Sequence, residues 1–394
     1  MVKGMKQTEI GWIPEDWEVV NLEAILLSNP DYGINASAVK YNDGLPVYLR
    51  ITDIDDEGNF IKDNLSSVDD VNSQKYYLNK DEIVFARTGA SVGKTYLYKE
   101  KDGDLVFAGF LIRIKINTLE ANSKFIFYNT QTTHYKNWII SNSMRSGQPG
   151  INSNEIKGFQ IPLPPLPEQE AIAGALSDAD AWIESLEQLI AKKRLIKQGA
   201  MQELLTPKEG WEVKKLGDFC EIIMGQSPLS EFYNSSGNGL PLVQGNADIE
   251  NRKTIVRNYT SSITKKGKTG DIIMSVRAPV GEIARATFDC CLGRGVCAFR
   301  TENDFLYHLL IYKESSWAQF STGSTFDSVN SNQIKELEIF IPKSLPEQTR
   351  IATILSDMDA ELEALEQQLH KARQIKQGMM QELLTGRVRL VNNI

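Results

Sequence analysis

Few residues in this chain are spaced for chemistry. GASVGKT (89–95) comes nearest to a phosphate-cradling loop. Such a loop needs four residues between its glycines, and this stretch has three. A similar later stretch, APVGEI (278–283), has no Lys. A tight turn between strands is the simpler reading of both. The three His (His134, His308, His370) form no nucleophile–base arrangement with a Ser or Cys. Cys220, Cys290, Cys291 and Cys297 contain no CxxC pair and have no His beside them. Zinc is therefore not expected, and the thiols read as reduced and partly buried. The chain reads as a binder and not an enzyme.

SNPDY (28–32) falls short of the Asn-Pro-Pro-Tyr loop of adenine methyltransferases. The second Pro is absent, and no Gly-rich dinucleotide-type loop precedes it. What remains is a diffuse set of side chains suited to DNA. In the first half these are Arg50, Arg87, Lys94 and Arg145, the last followed by Ser146, Gly147 and Gln148. In the second half they are Arg252, Lys253, Lys265, Lys266, Lys268, Arg277 and Arg285, with Gln226 and Asn246 as polar readers. Arg and Lys suit phosphates and guanine edges, and Gln and Asn suit adenine. Arg87 and Arg277 each follow a similar apolar strand. Such an Arg either braces the following turn or touches DNA.

The elements that position these residues are organised by a duplication. LPEQEAIAGALSDADAWIESLEQLIAKKRLIKQGAMQELLT (166–206) returns at 345–385 with no gap, identical at 27 of 41 positions. Apolar residues fall at Ile172, Leu176, Ala179, Ile183, Leu186 and Ile190, and in the second copy at Ile351, Leu355, Met358, Leu362, Leu365 and Leu369. The alternating spacing of four and three predicts a helix with one apolar stripe. Pro167 and Pro346 suit a first helical turn, and Glu168 and Glu347 suit its dipole. Roughly 38 residues at about 1.5 Å each make a rod of about 57 Å. Its stripe needs a partner. The other copy is the nearest candidate, with a homodimeric coiled coil between chains as the alternative.

The expected segments are 1–165, a rod at 166–206, 207–344, a second rod at 345–386 and a tail at 387–394. The globular segments repeat each other loosely. WEVVNL (17–22) matches WEVKKL (211–216), and Asp53-Ile54 matches Asp248-Ile249. KDEIVFARTGASVGK (80–94) matches TGDIIMSVRAPVGE (269–282), placing Asp271 and Arg277 opposite Asp81 and Arg87. INSNEIK (151–157) matches VNSNQIK (329–335). Closely matched rods carrying loosely matched units suggest a recogniser whose halves read different things.

With the paired rods, the KQG(A/M)MQELLT rod ends, the TGRVRL tail and the two strand–turn–strand frameworks, the chain resembles the specificity subunit of type I restriction–modification systems over essentially its whole length. The resemblance implies an α+β fold of two mixed α/β target recognition domains, joined by two long helices packed as an antiparallel coiled coil in a pseudo-twofold tandem repeat. It implies that each domain reads one half of an asymmetric bipartite site in double-stranded DNA. Two modification (methyltransferase) subunits and motor-nuclease restriction subunits would be the partners. S-adenosylmethionine and ATP would be bound by those partners, leaving this chain without cofactors.

Composition sets the remaining bounds. The net charge is −8. Each rod carries four basic and seven acidic residues, so the rods hold much of the acid. A basic total would be usual for a lone DNA binder, and an acidic one fits if partners make many of the phosphate contacts. No apolar run is long enough to span a membrane, and no signal-like apolar core opens the chain, so the expected location is the cytoplasm. A coiled-coil adaptor is the rival from another class and predicts no sequence preference on DNA. A stand-alone methyltransferase predicts S-adenosylmethionine binding by the chain alone. An orphan or phase-variable specificity chain keeps the family but lacks an active partner.

Overall fold

The computed structural model describes residues 4–144, 147–315 and 329–390. The two rods are helices, Leu166–Leu205 and Leu345–Leu383. Both end in QELLT, where the Thr hydroxyl donates to a carbonyl of the last turn. Thr206 Oγ1 meets Gln202 O at 2.5 Å, and Thr385 Oγ1 meets Gln381 O at 2.6 Å. These bonds satisfy carbonyls that a helix end would otherwise leave open. The compact units do not follow the order of the segments. One unit comprises Met1–Leu186 with Gln368–Ile394, and the other Glu187–Gln367. Each rod therefore contributes one half to each unit.

In the first unit Asp180 pairs with Lys376, and Arg389 beyond the second rod reaches back to Glu168 in the first turn of the first rod. In the second unit Lys193 pairs with Glu361 (2.6 Å), Arg194 with Glu366 (2.7 Å) and Lys197 with Asp359. From Glu168–Arg389 to Asp180–Lys376, and from Arg194–Glu366 to Lys197–Asp359, rising numbers on the first rod meet falling numbers on the second rod and its tail, so the rod halves run antiparallel in both units.

The apolar stripe serves two partners. Ile172 and Leu176 are buried in the first unit's core with Phe125, Ile126 and Leu383. Ile351 and Leu355 are buried in the second unit's core with Leu205, Phe305 and Leu309. The opening turns of each stripe thus belong to a globular core as well as to the helix pair. Ile183, Leu186 and Ile190 are also buried. On the second rod Met358, Leu362, Leu365 and Leu369 are only half-buried.

The shared LPEQ start has a structural reason. The Gln169 side-chain oxygen accepts from Asn122 N–H (2.9 Å), and its amide donates to Pro164 O (2.8 Å). Gln348 repeats this, accepting from the Asn303 side chain and donating to Pro342 O (2.6 Å). Each buried Gln therefore joins a rod to the strand before it and to a domain loop.

The first unit has a four-stranded antiparallel sheet, in the order Asp31–Tyr32, Leu111–Lys115, Glu82–Ala86 and Thr95–Leu97. A second four-stranded sheet holds Leu105–Phe107, Val47–Leu49, Ser66–Val68 and Ala38–Lys40. Glu18–Asn21 pairs with Gln160–Leu163, the strand that leads into the rod. The second unit keeps this plan. Glu221–Met224, Val296–Arg300, Ile272–Ser275 and Ile283–Arg285 adjoin in a six-stranded sheet. Trp211–Lys215 pairs with Glu338–Pro342 before the second rod. The INSNEIK and VNSNQIK stretches form short helices with identical caps. The side chains of Asn152 and Asn330 accept backbone N–H groups, and Glu155 and Gln333 close the capping boxes.

The two frameworks are offset by one residue from their alignment by letters. Ala86 faces Leu111, and Ser275 faces Val296. Arg87 donates its N–H to Phe110 O and accepts from Ile151 N–H. Val276, not Arg277, makes the equivalent bonds to Gly295 O and from Val329 N–H. Arg277 therefore corresponds to Thr88. The same offset sets Asp271 opposite Glu82, whose carboxylates accept the backbone N–H of Lys268 and Asn79. It also sets Asp81 opposite Gly270, both with positive φ (66° and 91°). Asp53 and Asp248 do correspond. Both are buried and take a backbone N–H, from Arg50 and Gln244.

Candidate nucleic-acid interface

Two loop clusters collect the candidate readers, one in each unit. In the first, the turn after Ala86 meets loop 109–110 through the Arg87 backbone and segment 149–151 through Thr88 and Gly89. Gly33 and Ile34 join the cluster by donating to Leu111 O and Phe107 O. These bonds place Arg87, Tyr32 and Phe110 around one recess of about 340 Å³. The Gln148 amide lies beside Gly89 on the same edge.

Arg50 and Lys94 lie elsewhere and are engaged. Arg50 holds Asp53 with two nitrogens (2.9 and 2.7 Å) and donates to Asn64 O (2.9 Å). Lys94 donates to Ile54 O (3.1 Å) and pairs with Asp56 (2.9 Å). GASVGKT is thus the turn of the Glu82–Ala86/Thr95–Leu97 hairpin, with its Lys tied to the next loop. Arg145 lies outside the described residues.

In the second unit the loops after Met224, Val243, Ser275 and Leu292 converge. Gln226 N–H donates to Leu292 O, Gly293 N–H to Val243 O, and Val276 N–H to Gly295 O. A Cβ on Gly295 would stand 2.0 Å from Gln244 O, so this approach requires glycine. Exposed Gln226, Asn246, Arg277 and Arg294 sit on these loops.

The other basic candidates divide into two sets. Arg252 clasps Glu314, Lys253 pairs with Glu363 on the second rod, and Lys266 pairs with Asp289. Arg285 pairs with Asp304 and lies over Tyr307, 4.4 Å from the ring centre. Lys265, Lys268 and Arg277 are exposed and have no ion-pair partner among the described residues.

Sequence reasoning missed Tyr32, Phe110 and Arg294. Phe110 is 55 % exposed and Tyr32 39 %, unusual for aromatics that flank core strands. Arg294 carried a legible signal in LGRGV, an Arg between two glycines joining two apolar strands.

Among the described residues no group of His, Cys, Asp and Glu could hold a metal ion. The four Cys are free, and burial pushes the Cys220 and Cys290 thiols up to about 12, away from nucleophilic reactivity. Among the described residues no helix is long and apolar enough to cross a membrane.

Several known proteins are similar to this chain over nearly its whole length. The model of the type I restriction modification DNA specificity domain matches the chain twice, at residues 14–193 and 208–374. The putative type I restriction enzyme MjaX specificity subunit of Methanocaldococcus jannaschii is 32% identical, over 98% of this chain and 97% of that protein. The MjaVIII specificity subunit of the same organism is 22% identical, over 96% and 95%. A chain from a structural study of assembly and conformational transition in the type I R-M system shares 25% identity at a TM-score of 0.58, covering 95% of this chain and 99% of that one. The S subunit of a type I restriction–modification system from M. genitalium shares the fold at a TM-score of 0.65 and 17% identity, over 97% and 99%. With two specificity domains and a full-length relative above 30% identity, the chain belongs to the family of type I restriction–modification DNA specificity subunits.

Proposed function

We propose that this chain is the DNA-reading subunit of a type I restriction–modification complex and performs no chemistry itself. Each globular unit reads one short half of an asymmetric, two-part site in double-stranded DNA, and the bases between the halves are unread. Two modification subunits and the motor-nuclease restriction subunits assemble with it in the cytoplasm. S-adenosylmethionine and ATP are bound by those partners, and the methylated base is an adenine.

One observation carries this reading. Two units with the same ladder and the same loop bonds present unlike side chains at equivalent loops: Tyr32, Arg87 and Phe110 in one, Gln226, Arg277 and Arg294 in the other. Identical tips would suit a repeated half-site, whereas unlike tips suit two different ones. The net charge of −8 fits a chain whose partners supply many of the phosphate contacts.

The test is the adenine methylome of the source cell with and without this gene. A gapped two-part motif should be methylated in the parent and unmodified in the deletion. An unchanged methylome would overturn the assignment.

A further inference from the structure

Arg87 stands apart from the other well-anchored arginines. Arg50, Arg113, Arg252, Arg285, Arg300 and Arg389 each hold a carboxylate. Arg87 holds none among the described residues. Its backbone is fixed on both sides, by Phe110 O (3.0 Å) and Ile151 N–H (2.9 Å). Its Nε donates to Gly109 O at 3.1 Å. The guanidinium carbon lies 5.0 Å from the centre of the Tyr32 ring and 5.9 Å from that of Phe110. Ser153 N–H donates to Tyr32 Oη (3.3 Å), which steadies that ring. The two terminal nitrogens have no acceptor among the described residues, and Arg87 lines a recess open to solvent.

A role confined to bracing the turn needs only the Nε bond. It leaves both terminal nitrogens donating only to solvent in the recess, free for a ligand that displaces that water and accepts from both. The ligand must be anionic or strongly accepting, offer two parallel acceptors and tolerate aromatic walls. The guanine O6/N7 edge in the major groove meets all three conditions. A phosphate meets the first two, but gains nothing from the exposed faces of Tyr32 and Phe110. An Arg anchored at one nitrogen has also lost much of its rotamer freedom before binding, which favours selective base reading.

We propose that Arg87 reads a guanine in the half-site of the first unit by a bidentate contact to O6 and N7, with Tyr32 and Phe110 walling the recess. The proposal rests on the DNA-reading role above and names the base and the residue.

The test uses the chain assembled with its modification subunits and a duplex bearing the methylated motif. Each guanine is replaced in turn by 7-deazaguanine, which keeps pairing but removes the N7 acceptor. At one guanine, in one half-site only, the wild-type complex should lose about 5-fold or more in affinity. Arg87→Ala should abolish that difference while leaving discrimination in the other half-site as in wild type. Arg87→Lys keeps the charge but not the fork, and should also lose the difference. It carries the comparison if the alanine variant does not fold.

Three results would overturn the proposal. One is a motif with no guanine in the affected half. Another is a 7-deazaguanine penalty that survives both substitutions. The third is a uniform loss on every duplex with the salt slope reduced by about one, which identifies a phosphate contact. A wild-type complex that methylates no gapped motif refutes the DNA-reading role itself. A gapped motif insensitive to Arg87 refutes only the guanine contact.

Discussion

The two globular units solve the same structural problem with different side chains. Each has a buried acid at the start of its central strand, Glu82 or Asp271, which accepts a backbone N–H from the preceding turn. Lys115 and Arg300 pair with these acids from equivalent ladder positions. The first unit adds Arg113, whose side chain is 5% exposed and holds Glu82 and Asp31 together. A second slot shows the same substitution of means. Ser177 and Asp180 on the first rod meet Tyr128, whose hydroxyl donates to Asp180 at 2.7 Å. Their equivalents Ser356 and Asp359 meet His308, which bonds Ser356 at 2.9 Å. The frame fixes where a polar partner is needed and leaves its chemistry free. That tolerance is what a scaffold for changing recognition loops requires.

The sharpest way to break the comparison is to remove the ion-pair bases. Arg113→Ala strands Glu82 in the core beside only the partly exposed Lys115, and should destabilise the first unit by about 3–5 kcal/mol. Arg300→Ala acts on a side chain that is 27% exposed, so water reaches the group, and should cost about 1–2 kcal/mol. Hydrogen exchange resolves the units within one molecule and measures both losses. Equal losses would show that the buried triad adds nothing to the shared pair.

The His308 slot predicts an acid sensitivity confined to the second unit. Burial lowers the His308 pKa to about 4, with Lys197 and Arg285 acting in the same direction and Asp359 opposing. Its Nδ1 is buried without a hydrogen-bond partner among the described residues. Between pH about 6.5 and about 4 the unfolded chain therefore binds a proton that the folded unit does not. Stability falls as pH drops through that window, by up to about 3 kcal/mol, and this term adds no further loss below it. In the first unit burial raises the Tyr128 hydroxyl well above its ordinary range, so it stays neutral. His308→Tyr should remove this part of the acid loss, read as hydrogen exchange at pH 7 and 4.5. An undiminished loss in that variant would place the sensitivity elsewhere.

What was legible in the sequence follows from what kind of interaction each feature reports. The rods could be read because helix periodicity and terminal signals are local. A stripe says that a face is buried but not against what, so the sharing of Ile172 and Ile351 between rod pair and domain core was hidden. Matching by letters paired Asp81 with Asp271, because identity outweighed the conservative exchange with Glu82. Backbone bonds set the true register one residue away. The basic candidates were the least legible. Whether Arg252 or Lys253 faces DNA or a carboxylate depends on Glu314 and Glu363, 62 and 110 residues further on. No local pattern reports such pairs. Phe110 and Arg294 could have been found as side chains on short loops between apolar strands, where nothing requires an aromatic or a charge.

The smallest expected effect concerns the rod starts. In the first unit Glu168 is buried and accepts from Trp17 Nε1 (3.0 Å) and from Arg389 (2.7 and 2.8 Å), which also holds Asp16. The second unit has the Trp and the Glu, as Trp211 and Glu347, but Trp211 Nε1 is buried without a partner among the described residues. Offset by 179 residues, the position of Arg389 is taken by Gly210. Arg389→Ala should therefore turn the first junction into something like the second, leaving Glu168 with Trp17 alone. Because Arg389 is 27% exposed, its removal lets water reach Glu168, which keeps its bond from Trp17, and the cost should be about 1 kcal/mol, confined to the first unit. Exchange protection of the first turn of the Leu166–Leu205 helix should fall, while that of Leu345–Leu383 should not change. Equal loss in both helices would mean that the tail acts on the whole molecule and not on this junction.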